Sequence, residues 1–201
     1  GSSTNILGMD HCGTNNVPGV ITRATVSQNG HPTVTGSPVP IEENSTLDID
    51  TQAIINRLKK NATASYDVNS QTQTGMSWGT PTPGATQQDA SSCSQHNVVY
   101  FNTHSTYVKL AGGTSGCGLL LVEGDLNVNG GFQWYGVIVV TGSITFLGGG
   151  GKNVTGGILA GGSVSADLVG GDANIVYCSQ GIRNQTEYLP LITLRWAELF
   201  S

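Results

Sequence analysis

Charge is what this chain has least of. Of its 201 residues only 10% are Asp, Glu, Lys or Arg, against about a quarter in an average globular protein. The balance is 8 basic against 13 acidic residues, a net charge of −5. Arg57, Lys59 and Lys60 form the one basic cluster. A nucleic-acid surface needs several convergent cations to displace counterions, so this composition argues against a nucleic-acid partner. Aromatic residues are few, at 6%. No apolar run approaches the roughly 20 residues that span a bilayer, and no secretory leader stands at the start. Gly1 and Ser2 read as a cloning remnant, so the natural N-terminus is expected to lie upstream. Missing too are a CxxC pair for structural zinc, a GxSxG elbow, a P-loop and a dinucleotide fingerprint. No cofactor and no metal site is expected.

Glycine is abundant, with 29 residues, while 37% of the chain is still hydrophobic. Disordered chains combine high charge with little apolar content, so a folded, glycine-turned β protein is the better reading. Four cysteines are spread widely, at Cys12, Cys93, Cys117 and Cys178. An even count in a Ser-, Thr- and Asn-rich chain points to two disulfides and an extracytoplasmic compartment, the alternative being buried free thiols. Three pairings are open. Cys93 and Cys117 flank consecutive predicted strands, which favours Cys93–Cys117 and leaves Cys12–Cys178.

One domain over 1–201 is expected, in three parts. Residues 3–96 are loop-rich, with short extended pieces at 20–26 (VITRATV) and 32–34, a turn at Asn29-Gly30, and an edge or loop at 36–41 (GSPVPI), where two prolines bar an interior strand. Within this part, residues 45–61 change period. Ala53, Ile54, Ile55, Leu58 and Ala62 form an apolar stripe, Ser45, Asp48 or Asp50 can cap its start, and Arg57, Lys59 and Lys60 suit its C-terminal end. A helix over about 45–61 is predicted, with Asn61 as its C-cap. Residues 64–96 are polar and turn-rich, with Trp78 as a core anchor.

From residue 97 to 178 the texture is β. Residues 118–128 (GLLLVEGDLNV), 136–146 (GVIVVTGSITF) and 156–166 (GGILAGGSVSA) align as a glycine, four mostly apolar residues, one variable residue, a second glycine and an alternating tail. Residues 97–108 read as a degenerate copy before them and 174–178 as a partial copy after. A fixed period of this kind marks stacked units that bury their apolar faces against one another. A mainly β fold is predicted, a short parallel β-solenoid with one covering helix; an antiparallel meander is the alternative. Unbroken apolar runs at 119–122 and 137–140 imply that one outer face is covered as well, and the helix is the candidate cover. Residues 179–201, whose stretch 188–200 (YLPLITLRWAELF) is rich in aromatic and aliphatic residues, are expected to cap the structure.

The run GLLLVEGDLNVNGGFQWYGVIVVTGSI resembles the C-terminal domain of PilX-type pilus assembly proteins. Asp10-His11-Cys12-Gly13, Val17-Pro18-Gly19-Val20, the helix around residue 50 and Arg195-Trp196-Ala197-Glu198-Leu199 are similar as well. That resemblance implies a minor-pilin-like domain at the bacterial cell surface or in a pilus. Its partners would be other pilins or pilus assembly proteins. Its only membrane contact would be through an N-terminal hydrophobic helix that precedes this sequence.

Catalytic groups are harder to find. Polysaccharide-cleaving β-helices work through paired carboxylates. The candidates are Asp125, Asp167 and Asp172, with Lys109, Lys152 and Arg183; Asp125 and Asp172 read as ordinary turn acids, and no two acids share a spacing that sets them side by side on one strand face. His11, His31, His96 and His104 do not make a three-ligand set. A Cys12–His11 thiol–imidazole pair is incompatible with a disulfide at Cys12. The loop 148–151 before Lys152 lacks the helix start and Ser/Thr of a phosphate cradle, and reads as a connection between repeats. No catalytic residue is assigned. Trp134 and Tyr135 are the candidate contact surface, suited to glycans or protein; the alternative is that they stack against Phe132 and Phe146 within the solenoid. The reading is therefore a non-enzymatic assembly or adhesion protein, with a β-helical carbohydrate-binding or polysaccharide-degrading protein as the alternative.

Overall fold

A computed structural model describes residues 4–23, 25, 32–83, 90–93, 95–162, 164–166 and 173–186. Its strands are β1 (Thr4–Leu7), β2 (Val20–Ile21), β3 (Thr33–Thr35), β4 (Ile41–Glu42), β5 (Ala64–Asp67), β6 (Gln71–Thr74), β7 (Ser77–Trp78), β8 (Thr82–Pro83), β9 (Ala90–Ser92), β10 (Asn97–Ala111), β11 (Thr114–Asn129), β12 (Phe132–Val140), β13 (Ile144–Leu147), β14 (Lys152–Ala160), β15 (Val164–Ala166) and β16 (Ala173–Tyr177). Helix α1 (Thr51–Leu58) runs into a 3-10 turn, Lys59–Asn61, and α2 (Ser179–Thr186) follows β16. The fold is mainly β. Its main sheet is parallel throughout and follows an open order from β15 to β3.

The long strands take part in successive ladders because they bend. Residues 114–118 of β11 pair with β7 and with β12, and this first ladder continues through β14, β16, β1 and β3. Residues 118–122 belong to a second ladder, with β5, the start of β10, and the later halves of β12 and β14. Residues 126–129 belong to a third, with β6, the end of β10, β13 and β15. The aligned repeats therefore sit directly above one another: Gly118 pairs with Gly136, and Gly136 with Gly156. This glycine column marks the first bend. Each of the three has a positive φ, and a β-carbon on Gly136 would overlap the carbonyl oxygen of Gly118. Only glycine permits both.

Side chains alternate across each strand. One set fills a continuous interior that includes Phe101, Leu120, Leu126, Trp134, Ile138 and Phe146. The opposite set on the second ladder, Val98, Leu119, Leu121, Val137 and Val139, packs under Ile55 and Leu58 of α1. The predicted cover is thus in place, and it explains why the runs at 119–122 and 137–140 are apolar without a break. Burial of Ile55 and Leu58 contributes about 1.5–3 kcal/mol each.

The helix is shorter than the predicted 45–61. Asp50 is the cap, its carboxylate accepting from Ala53 N at 2.8 Å. Ser45 instead accepts from Leu47 N at 3.3 Å, and Asp48 pairs with Arg23 at 2.7 Å in solvent, so neither starts a helix. Residues 64–78 also differ from expectation. They form β5, β6 and β7, a further tier beneath β10 and β11. Among the described residues this tier is paired on one side only, so its sequence needs no strict apolar alternation. Trp78 anchors it, 7% exposed, with its indole N–H 3.1 Å from the Tyr66 hydroxyl. In the N-terminal part, β2 and β4 pair with each other in parallel, and 36–40 is a loop. The Asn29-Gly30 turn lies outside the described residues.

Both disulfides form, Cys12–Cys178 and Cys93–Cys117. Such bridges fit an oxidising compartment. They flank Tyr135, which pairs in register with Cys117, and α2 lies over the same outer face of the first ladder. Asp10 organises this corner. Its carboxylate accepts from Cys12 N at 3.2 Å, Asn15 N at 3.0 Å and Ser179 N at 3.0 Å. Asn5, Asn174 and Asn153 add an amide column, with hydrogen bonds of 2.7 and 3.0 Å.

Two expectations follow. Gly136→Ala should destabilise the fold by more than about 3 kcal/mol in urea unfolding. Gly113→Ala, with a positive φ but open space around its β-carbon, should cost only about 1–2 kcal/mol. The bridges close loops of 166 and 24 residues by sequence separation. On chain entropy, replacing both cysteines of the longer loop by alanine should cost about 5 kcal/mol, against about 3 for the shorter, read from the same unfolding curves.

Candidate functional site

The second and third ladders meet at a corner where the repeat has its one variable position. Asn102, Glu123 and Thr141 occupy equivalent places on successive tiers there, and each is followed by a departure from regular strand. On β10 the departure is a loop. Pairing stops at Asn102 opposite Glu123 and resumes at Tyr107 opposite Asp125, so residues 103–106 face Gly124 alone. Hydrogen bonds hold this loop firmly. The Thr103 hydroxyl lies 2.6 Å from the Glu123 carbonyl, and the Thr106 hydroxyl lies 2.6 Å from the Thr103 carbonyl while accepting from Ser70 N at 3.0 Å. The loop's outermost residues, His104 and Ser105, both adopt left-handed φ values of 51° and 60°. Ordinary residues reach that region at a cost, and such strain concentrates where a side chain is being aimed.

Beneath the loop lies a depression of about 410 Å³. Gln52 from α1 lines it, with Asn102, His104, Ser105, Glu123, Gly124, Asp125, Thr141 and Gly142. Every side chain in this lining is polar.

Glu123 is the electrostatic centre. Its carboxylate accepts from Lys59 Nζ at 3.0 Å, from Gln52 Nε2 at 2.6 Å and from the Tyr100 hydroxyl in a close contact. The Lys59 ammonium also lies over the Tyr100 ring, 5.4 Å from its centroid. Burial alone would raise the Glu123 pKa, but the hydrogen bonds from Tyr100, Lys59 and Gln52 outweigh it and hold the group below the usual carboxylate range. Tyr100 moves strongly upward through burial, its hydrogen bond to Glu123 and the charges of Glu123 and Asp67. The cluster ties α1 and its 3-10 turn to the sheet. Asp67 forms a close pair with His104 Nε2, and Asp125 accepts from Ser143 N at 2.8 Å.

The residues singled out from sequence are dispersed. His104 and Asp125 reach the depression, whereas His96 lies at the far end of β10 with its Nδ1 3.1 Å from Gln185. Asp167, Asp172 and His31 lie outside the described residues. Lys152 is 1% exposed and its ammonium donates to the Gly148 carbonyl, so the glycine loop is a connection between strands. Arg183 donates to Ser179 Oγ on its own helix at 3.2 Å. Cys12 is bridged, which removes the Cys12–His11 pair. Among the described residues no three His, Cys, Asp or Glu side chains converge to hold a metal ion.

Trp134 and Tyr135 require a correction. They are 1% and 0% exposed, so neither forms a contact surface. Trp134 points into the core and donates to the Gly118 carbonyl at 3.1 Å; Tyr135 points the other way, beneath the disulfides and α2. Alternation on a strand covered on both faces buries both. Sequence reasoning missed Glu123, Tyr100 and Gln52. The variable position of the repeat was the available signal, since it is where the stack tolerates a functional side chain.

The pH dependence of stability has a defined sign. Glu123 and Asp10 are both held below their ordinary values, Asp10 because hydrogen bonds from Ser179, Asn15 and Cys12 outweigh the opposing effect of burial. Their contribution is present above the unfolded-state pKa and is lost as pH falls through the folded-state value. Stability should decline over about pH 5 to 2. Glu123→Gln should flatten part of that decline, and Asp10→Asn another part, in unfolding midpoints measured against pH.

No described helix is long and apolar enough to cross a membrane. The chain matches no family model, no curated protein and no solved structure.

Proposed function

We propose that this protein is a non-enzymatic extracytoplasmic scaffold, a short parallel β-solenoid that serves assembly or surface contact. The observation that carries the reading is how the acids are used. Asp10 caps α2, Asp50 caps α1, Glu123 fastens α1 to the sheet, and Asp125 holds the turn at Ser143. Each of these four carboxylates holds the backbone or a neighbouring element through at least one oxygen, and a carboxylate held that way is a poorer general acid or base. Repeats stacked in register and bridged by disulfides also make a rigid body, which suits display.

The setting we propose is a type IV pilus-like assembly at the bacterial surface, with other pilins or pilus assembly proteins as partners. Its support is the sequence resemblance. Asp10-His11-Cys12-Gly13 has a physical role consistent with a family signature, because it caps α2 and brings Cys12 to Cys178. The other reading, a β-helical protein that binds or cleaves polysaccharide, draws on the polar depression at the corner.

In the source organism, deletion of the gene should reduce surface piliation, and complementation should restore it. Unchanged piliation would remove the pilus setting. Purified protein should leave both polyuronides and neutral polysaccharides uncleaved in reducing-end assays; turnover that falls on Asp125→Ala would overturn the non-enzymatic reading.

A further inference from the structure

Two of the three ladders are covered on their outer faces, the first by α2 with the disulfides and the second by α1. The third presents polar outward residues such as Lys109, Asn127 and Thr145 in register. Its border with the second ladder is the depression. Tyr107 stands at this border, 38% exposed and paired in register with Asp125.

The atoms there fall into two groups. Some are committed: both Glu123 oxygens, the Gln52 amide nitrogen, the Thr141 hydroxyl that accepts from Gly124 N at 2.8 Å, and the Asp125 oxygen at Ser143. Others have no partner among the described residues: the second Asp125 oxygen, the Gln52 carbonyl oxygen, the Ser105 hydroxyl, His104 Nδ1 and the Tyr107 hydroxyl. Asp125, Gln52, Ser105 and His104 line the depression, and Tyr107 stands beside it on the strand next to Asp125; these groups are mostly acceptors or hydroxyls, and the volume is within the range of small-ligand sites.

We infer that this corner binds a neutral, hydroxyl-rich glycan, with Asp125, Ser105, His104 and Gln52 meeting its hydroxyls and Tyr107 covering one face of a sugar ring. An apolar ligand finds no apolar wall here. Among the described residues, a polyanion at the lining meets Glu123 and Asp125, and the nearby Lys59 ammonium is already paired with Glu123; Lys109 lies further along the third ladder, opposite Asn127. A sugar hydroxyl can donate to the open carboxylate oxygen and accept from Ser105, while a pyranose face suits an exposed aromatic ring. The strained loop is locked by its own threonines, so little ordering remains to be done on binding. This inference rests on the scaffold reading, in which the site binds and does not cleave.

The test is isothermal titration calorimetry of the protein with cello-, xylo-, malto- and chito-oligosaccharides, and with polygalacturonate as the charged counterpart. Binding to at least one neutral series and none to polygalacturonate is expected. Tyr107→Ala and Asp125→Asn should each weaken it about tenfold, as the loss of one ring contact or one charged hydrogen bond implies. Ser105→Gly removes a hydroxyl while relieving the left-handed backbone, and should weaken binding without loss of stability. Val39→Ser, at an exposed site elsewhere, should change nothing. Absence of heat with every neutral series, preference for polygalacturonate, or affinity indifferent to Tyr107→Ala and Asp125→Asn would each overturn the assignment. Cleavage of a bound glycan would instead leave the site standing and sink the non-enzymatic reading.

Discussion

The in-register glycine column at 118, 136 and 156 is the constraint on which the other features rest. At that point three long strands bend together with positive φ, and the backbone of one tier lies against the next so closely that no β-carbon fits. The bend turns each strand from the first ladder into the second. It thereby decides which side chains face the shared interior and which face outward. A slip of one residue would send every apolar side chain to the wrong face, so the column and the alternation enforce one another.

That register also accounts for what covers the sheet. On the second ladder the outward set is aliphatic, and α1 is held there both by Ile55 and Leu58 and by the Lys59–Glu123–Tyr100 cluster. On the first ladder the outward set includes Cys117 and Tyr135, and the cover is α2 with two disulfides, positioned by Asp10. Both covers join distant parts of the chain to the central tiers. The long Cys12–Cys178 connection fastens the N-terminal part to the strand stack near its C-terminal side.

The corner beneath His104 combines firm construction with unspent hydrogen-bonding capacity. The polar groups near it are tied to one another, Glu123 to Lys59 by an ion pair and Asp67 to the His104 ring by a close hydrogen bond. The backbone there is strained but extensively hydrogen-bonded, a combination that fixes side-chain direction at the expense of some stability. Because the repeat needs only small or polar residues at its variable position, the stack tolerates this without loss of its apolar interior.

The repeat made much of this architecture legible in advance. The strand runs, their register, the covering helix and the favoured disulfide pairing all follow from glycine spacing, apolar period and cysteine position, because these are local signals that stacking leaves in the chain. The start of α1 was less legible, since Ser45, Asp48 and Asp50 are all competent caps and only their partners separate them. The tier at residues 64–78 was hidden because a tier paired on one side does not need the full pattern. The corner site was hidden for a different reason. Gln52, Tyr100, His104 and Glu123 come from separate segments whose proximity is set by stacking, and of the two aromatics that could serve as a contact surface in the sequence, Trp134 is buried in the interior and Tyr135 beneath a cover that only the tertiary fold supplies. Sequence by itself determined the repeat and its alternation; the tertiary structure decided which polar groups are spent and which remain available, because that depends on neighbours far apart in the chain.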